Sequence, residues 1–204
     1  TGNRGALALD HRGALLLATG DAGNPAAAQD PNSLAGKLLR LDAAGKPAED
    51  NPVNDSAIVI SGLHTPGGVC AALDGSRIWV TDRDARRDLL YRVQYGKPLG
   101  EPAWTWPDRP GISGCASTPE SLWLTASAAA NLQVLPLAPD GTFRGKPNIS
   151  MQNQDGFGKL AAIDLVNEHL AVSGTMNKDG GTPVSSDDRA VIIVPMVGQG
   201  GSSD

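Results

Sequence analysis

Ser121-Leu122-Trp123-Leu124-Thr125, set directly behind the pair Pro119-Glu120, is a turn followed by alternating large apolar residues that closes on a hydroxyl. The form recurs as Ala14-Leu15-Leu16-Leu17-Ala18-Thr19 after Arg12-Gly13 and as Arg77-Ile78-Trp79-Val80-Thr81 after Asp74-Gly75. A fourth copy is His169-Leu170-Ala171-Val172-Ser173, after Asn167-Glu168. Each copy is followed by a second strand-like run, at 37–41, 89–93, 132–137 and 190–194. Short strands of small residues precede them, as at 6–9 and 68–72. The last three copies recur at intervals of roughly 45 residues, and a unit of that length with three or four short strands marks a β-propeller blade. A helical repeat would need long uninterrupted amphipathic runs, which the 25 Gly and 15 Pro break up.

Four units predict four blades of an all-β fold. The first begins with the strand at 6–9, which favours a larger ring with further blades upstream over a closed four-bladed one. An uncovered blade edge would expose unpaired backbone groups, so another segment is expected to cover it. Residues 1–197 are assigned to the propeller and the Gly/Ser-rich 198–204 to a flexible tail.

Composition fits this reading. The 204 residues are 40% apolar and carry 17 Lys and Arg against 22 Asp and Glu, a formal charge of −5. Apolar content at this level excludes a disordered chain. The absence of any Lys/Arg cluster argues against a nucleic-acid partner. The longest uncharged stretch, from Ser121 to Pro139, is too polar for a membrane span. Thr1 leads straight into patterned sequence, so a signal peptide is expected to have been removed or to lie outside this chain.

Cys70 and Cys115 do not form a metal-type CxxC pair. Cys70 lies nine residues before Trp79 and Cys115 eight before Trp123, which puts them at matching places on the innermost strands of consecutive blades. A disulfide in an oxidising compartment is the favoured reading, and two buried thiols too far apart to bridge are the alternative.

Longer motifs carry a family resemblance. They are 17–24 (Leu-Ala-Thr-Gly-Asp-Ala-Gly-Asn), 29–42 with its Ser33-Leu34-Ala35-Gly36-Lys37 core, Gly45-Lys46-Pro47, and Glu49-Asp50-Asn51-Pro52. Together they resemble the glucose/sorbosone dehydrogenase family of six-bladed β-propeller sugar dehydrogenases that use pyrroloquinoline quinone (PQQ). The likeness continues more loosely through Gly156-Phe157-Gly158-Lys159-Leu160 and 177–181 to Asp187-Asp188-Arg189. Gly68-Val69-Cys70 and 104–116 resemble the actinobacterial envelope lipoprotein branch. The resemblance implies a six-bladed ring, an extracytoplasmic location and a lipid anchor upstream of Thr1 as the sole membrane attachment.

It also implies a chemistry against which each position can be tested. The family oxidises an aldose at C1 by hydride transfer to PQQ, whose three carboxylates call for several cations and usually a calcium ion. The family's catalytic His belongs to a turn that corresponds to Gly2, Asn3, Arg4 and Gly5, where none exists. His11 is read as a solvated turn residue. The cofactor-binding Arg and Asn of the family's next loop correspond to His64 and Thr65 in Gly62-Leu63-His64-Thr65-Pro66-Gly67-Gly68. The calcium loop corresponds to Asp82-Arg83-Asp84-Ala85, where Asp82 and Asp84 are candidate ligands that compete with ion pairs to neighbouring arginines. A later cation falls in 127–131 and is absent, and an Arg-x-Arg pair reads Lys159-Leu160-Ala161, which keeps one charge.

The candidate cofactor contacts are therefore Asp21, His64, Thr65 and Lys159. His64 and Asp21 are the candidate catalytic groups, Asp21 having a turn-capping role as its structural alternative. Three lost charge-assisted bonds at about 1.5–3 kcal/mol each weaken PQQ binding by about three to six orders of magnitude. The expected function is a binding or scaffold propeller of the cell envelope with lost or altered PQQ chemistry, its partner a sugar, or a protein or polymer of the envelope. An active PQQ-dependent aldose dehydrogenase is the alternative. Trp79 and Trp123 are assigned to blade cores, and Trp104 and Trp106, in a Pro-rich inter-blade loop, are weighed as a binding surface.

Overall fold

The computed structural model describes residues 2–152, 156–167, 169–179 and 188–194. Within them the chain forms four antiparallel sheets in sequence order. The first holds β1 (Gly5–Leu9), β2 (Leu15–Thr19), β3 (Lys37–Leu41) and β4 (Ile58–Ser61), with a short helix, α1 (Pro25–Gln29), between β2 and β3. The second holds β5 (Gly68–Ala71), β6 (Ile78–Arg83), β7 (Asp88–Val93) and β8 (Trp104–Trp106). The third holds β9 (Ile112–Ser117), β10 (Ser121–Ala126), β11 (Asn131–Pro136) and β12 (Asn148–Ser150). The fourth holds β13 (Leu160–Asn167), β14 (Leu170–Thr175) and β15 (Ala190–Ile193). The first strands β1, β5, β9 and β13 are successive neighbours, so the sheets stand side by side as propeller blades around a shared inner wall. The proposed tail at 198–204 lies outside the described residues, as does Asp187. Among the described residues no helix is long and apolar enough to cross a membrane.

Apolar alternation explains why each boundary closes. In β6, Ile78 and Val80 face the first blade, joining Leu16, Leu38, Ile60 and Leu63. Trp79, between them, faces the third blade and packs with Leu90, Trp106, Leu122, Leu124 and Leu135. Trp123 does the same one blade on, against Leu160, Ala171 and Ile193. Both tryptophans are thus blade-core residues. Trp106 is not in a loop: it lies in strand β8, is buried, and donates Nε1–H to Gln133 Oε1 at 2.8 Å. Trp104 is half-buried and meets Trp106 and Phe143 edge to face.

Cys70 and Cys115 form a disulfide between the inner strands of the second and third blades, with Cα atoms 5.6 Å apart. Their places are not equivalent. Cys70 pairs across its sheet with Trp79, whereas Cys115 pairs with Leu124, one position off from Trp123. A one-residue step along a strand reverses the side chain. Cys70 therefore points forward and Cys115 back, and the two meet; equivalent positions would both point forward.

Candidate functional site

Turns that precede a first strand and turns that follow a second strand lie at the same end of a blade. Asp21 (after β2), His64 (before β5), Asp82 (at the end of β6) and Lys159 (before β13) therefore share one mouth of the channel. Asp21 and His64, distant in sequence, meet there: His64 Nδ1 lies 3.0 Å from Asp21 Oδ2. Asp21 Oδ1 accepts the Gly23 N–H at 2.8 Å, and the Asp21 N–H donates to the His64 carbonyl at 2.9 Å. One bond through side chains and one through backbone thus hold the first blade's loop to the second blade's.

Asp82 completes this joint from below. Its two oxygens accept the backbone N–H groups of His64 (2.9 Å) and Thr65 (2.6 Å). Burial pushes its carboxyl above the usual 3.8, although backbone hydrogen bonds oppose the shift. Asp82 thus fixes the loop backbone that carries His64 and Thr65. Asp84 accepts the N–H groups of Arg86 and Arg87 at 2.7 Å each and pairs with the Arg87 guanidinium at 3.0 Å. No three His, Cys, Asp or Glu side chains converge as a metal site among the described residues.

Arg83 and Lys37, two of the cations near this end, have definite tasks. Arg83 pairs at 2.7 Å with buried Asp88, whose other oxygen accepts the Gly111 and Ile112 N–H groups. Lys37 is fully buried, and its ammonium donates to the carbonyls of Ala27 and Ala28 at 2.8 Å and of Ala35 at 2.9 Å. It ties the α1 loop to the first blade, and burial lowers its pKa. Lys159 begins the fourth blade's inner wall, where its N–H donates to Asn177 Oδ1 at 2.9 Å.

The turn before β1 has no room for a side chain at Gly2. Its backbone is zipped onto the Asp21 loop by Gly20 N–H to Arg4 O (2.9 Å) and Ala22 N–H to Gly2 O (3.1 Å). Gly2 has φ of 77°, and a Cβ there would lie 2.7 Å from Asp21 Oδ1 and 2.6 Å from Gly23 N. Gly36 is similarly confined: with φ of 67°, a Cβ would meet the Leu63 carbonyl at 2.6 Å.

The sequence profile of the Glucose / Sorbosone dehydrogenase family matches residues 1–120. The chain belongs to the glucose/sorbosone dehydrogenase family. It is 33% identical over 114 residues to aldose sugar dehydrogenase YliI of Escherichia coli (strain K12), a match covering 52% of this chain and 31% of that protein. Its fold is similar to that of the PQQ-bound aldose sugar dehydrogenase of Streptomyces coelicolor, with a TM-score of 0.83 at 24% identity, over 93% of this chain and 61% of that one. The putative oxidoreductase (glucose dehydrogenase) of Thermus thermophilus gives 0.79 at 23% identity, over 94% and 64%. The chain thus spans less than two thirds of the length of these relatives.

The cofactor implied by this family is a tricarboxylate, and the described donors at the mouth do not fit it. Asp21 and Asp82 place two acidic side chains around the loop, where a polyanion needs cations. Arg83 and Arg87 answer to Asp88 and Asp84 instead. No step is therefore derived through that group.

Sequence reasoning places Asp21 and His64 near one face as candidates and misses the buried Lys37 and Arg40. Arg40 donates from Nε to Asp10 Oδ2 at 2.7 Å and pairs with Asp50 at the far end of the first blade. The available signal was two long cations inside an otherwise apolar five-residue strand, Lys37–Leu41.

Proposed function

We propose that this family member is an exported cell-envelope propeller that binds a neutral, hydroxyl-rich ligand at its channel mouth. The ligand is a sugar, free or carried on an envelope polymer or protein, and the family's quinone chemistry is lost or altered. The observation that carries this reading is the Asp21–His64 joint at the mouth: a partly exposed imidazole stands there on a buried carboxylate, and Arg83 and Arg87 pair with Asp88 and Asp84. A ligand hydroxyl can donate to the exposed imidazole, whereas a tricarboxylate would approach the two buried acids behind it. The buried Cys70–Cys115 bond supports an oxidising, extracytoplasmic location. A lipid anchor upstream of Thr1 is the proposed membrane attachment.

The test is titration of the full-length protein with PQQ and calcium, followed by dye reduction with D-glucose. The expected result is no saturable PQQ binding at micromolar concentration and no aldose-dependent dye reduction. Stoichiometric PQQ binding with glucose turnover would make the chain a working quinoprotein and overturn the proposal.

A further inference from the structure

A carboxylate is an acceptor only. The 3.0 Å contact between Asp21 Oδ2 and His64 Nδ1 therefore puts a hydrogen on Nδ1. In the neutral ring, Nε2 then carries the lone pair. The loop holds this orientation from two sides, through the His64 N–H on Asp82 and the His64 carbonyl on the Asp21 N–H. The Asp21 side chain is only 7% exposed while that of His64 is 38% exposed. With one edge of the ring against the buried carboxylate, the exposed edge is the one bearing Nε2. Nε2 has no hydrogen-bond partner among the described residues.

The glycine at position 2 accounts for this arrangement. Gly2 offers no side chain to Asp21 and has no room for one, so the carboxylate reaches across the blade boundary to His64. The acceptor stands on the loop between the first and second blades, not on the turn ahead of β1.

We propose that His64 Nε2 is the acceptor for a ligand hydroxyl at the channel mouth, with Asp21 the positioning residue that fixes its tautomer. This assignment rests on the hydroxyl-ligand reading above and deepens it to a particular atom. The ligand class is a carbohydrate presenting a donor hydroxyl to an exposed imidazole nitrogen.

Two measurements test the proposal separately. The chain has three histidines, so a long-range ¹H–¹⁵N spectrum of histidine-labelled protein is simple, and the signals lost in His64→Gln identify His64. The ligand-free protein is expected to show His64 as the Nδ1–H tautomer, and Asp21→Leu is expected to shift it toward Nε2–H. A wild-type His64 that is already Nε2–H would overturn the dyad, whatever the ligand.

The second measurement is D-glucose binding by saturation-transfer NMR. His64→Phe is expected to weaken it about three- to tenfold, the worth of one neutral hydrogen bond. His64→Gln, whose Oε1 can stand near the position of Nε2, is expected to recover part of that loss. Unchanged thermal melts would show that both variants fold. Equal glucose affinity in wild type and His64→Phe would overturn the acceptor role alone. Failure of the wild type to bind glucose would overturn the carbohydrate assignment while leaving the tautomer result standing.

Discussion

The two ends of the boundary between the first and second blades satisfy their carboxylates in opposite ways. At the end away from the mouth, Asp10 and Asp50 meet Arg40, whose guanidinium also donates to Asn51 Oδ1 at 3.2 Å and stacks over the Tyr95 ring at 5.5 Å. Asp10 Oδ1 accepts the Arg12 and Ala14 N–H groups at 2.9 Å each, and Arg12 pairs with Asp50. Two guanidinium groups face two carboxylates, and little capacity is left for a ligand. At the mouth, Asp82 is served by backbone N–H groups, and Asp21 by one N–H and an imidazole. A saturated ion cluster is scaffold. A buried acid whose partner keeps an exposed free nitrogen is the better place to look for recognition.

The largest effect is expected where the cluster is saturated. Arg40→Met leaves Asp10, whose side chain is fully buried, without its cation. Removing one partner of a buried pair costs about 3–5 kcal/mol, because the remaining charge stays desolvated. Urea unfolding is expected to show this loss. A change under about 1 kcal/mol would mean that Asp10 simply takes up a proton, and the contrast between the two ends would weaken.

Lys37→Met probes the mouth itself with a smaller expected loss. The ammonium satisfies three carbonyls of the α1 loop. Methionine fills a similar volume but donates nothing, so a loss of about 1–3 kcal/mol is expected. Limited proteolysis is expected to cut first within 22–36, the segment that Lys37 tethers. Cleavage elsewhere with the loop intact would show that Gly36 and the Asp21 joint hold it unaided.

What could be read from the sequence was whatever repeats. Leu16, Trp79, Trp123 and Ala171 mark the four blades because each blade solves one packing problem with the same alternation. The Cys70–Cys115 pairing was legible from that repeat, but the reversal of Cys115 depends on pairing with Leu124, which spacing does not encode. The Asp21–His64 contact joins residues from two blades across a loop crossing, so their nearness at one face was legible and the bond between them was not. The prolines around Trp106 suggest a loop, whereas it stands in β8 with its indole between blades beside Gln133. Arg40 escaped because its partners Asp10 and Asp50 sit in separate turns and are brought together by the register of β3.

The smallest effect separates the two ends by sign. The carboxyl of Asp50 is held down to about 2 by hydrogen bonds from Arg40 and Arg12, so its native form binds its proton less readily than the unfolded chain. Its contribution to stability is present above 3.8 and is lost as pH falls toward about 2. Asp82 runs the other way: burial raises its pKa, so the native state binds the proton more readily, and stability falls as pH climbs from 3.8 through the raised value. Urea midpoints of wild type and two variants, taken between about pH 2.5 and 7, check this. Asp50→Asn is expected to remove a component that strengthens with rising pH, and Asp82→Asn one that weakens. The same slope in both differences would mean that Asp82 gains a compensating cation in solution. The mouth would then resemble the saturated end, and the case for a neutral ligand there would lose its electrostatic basis.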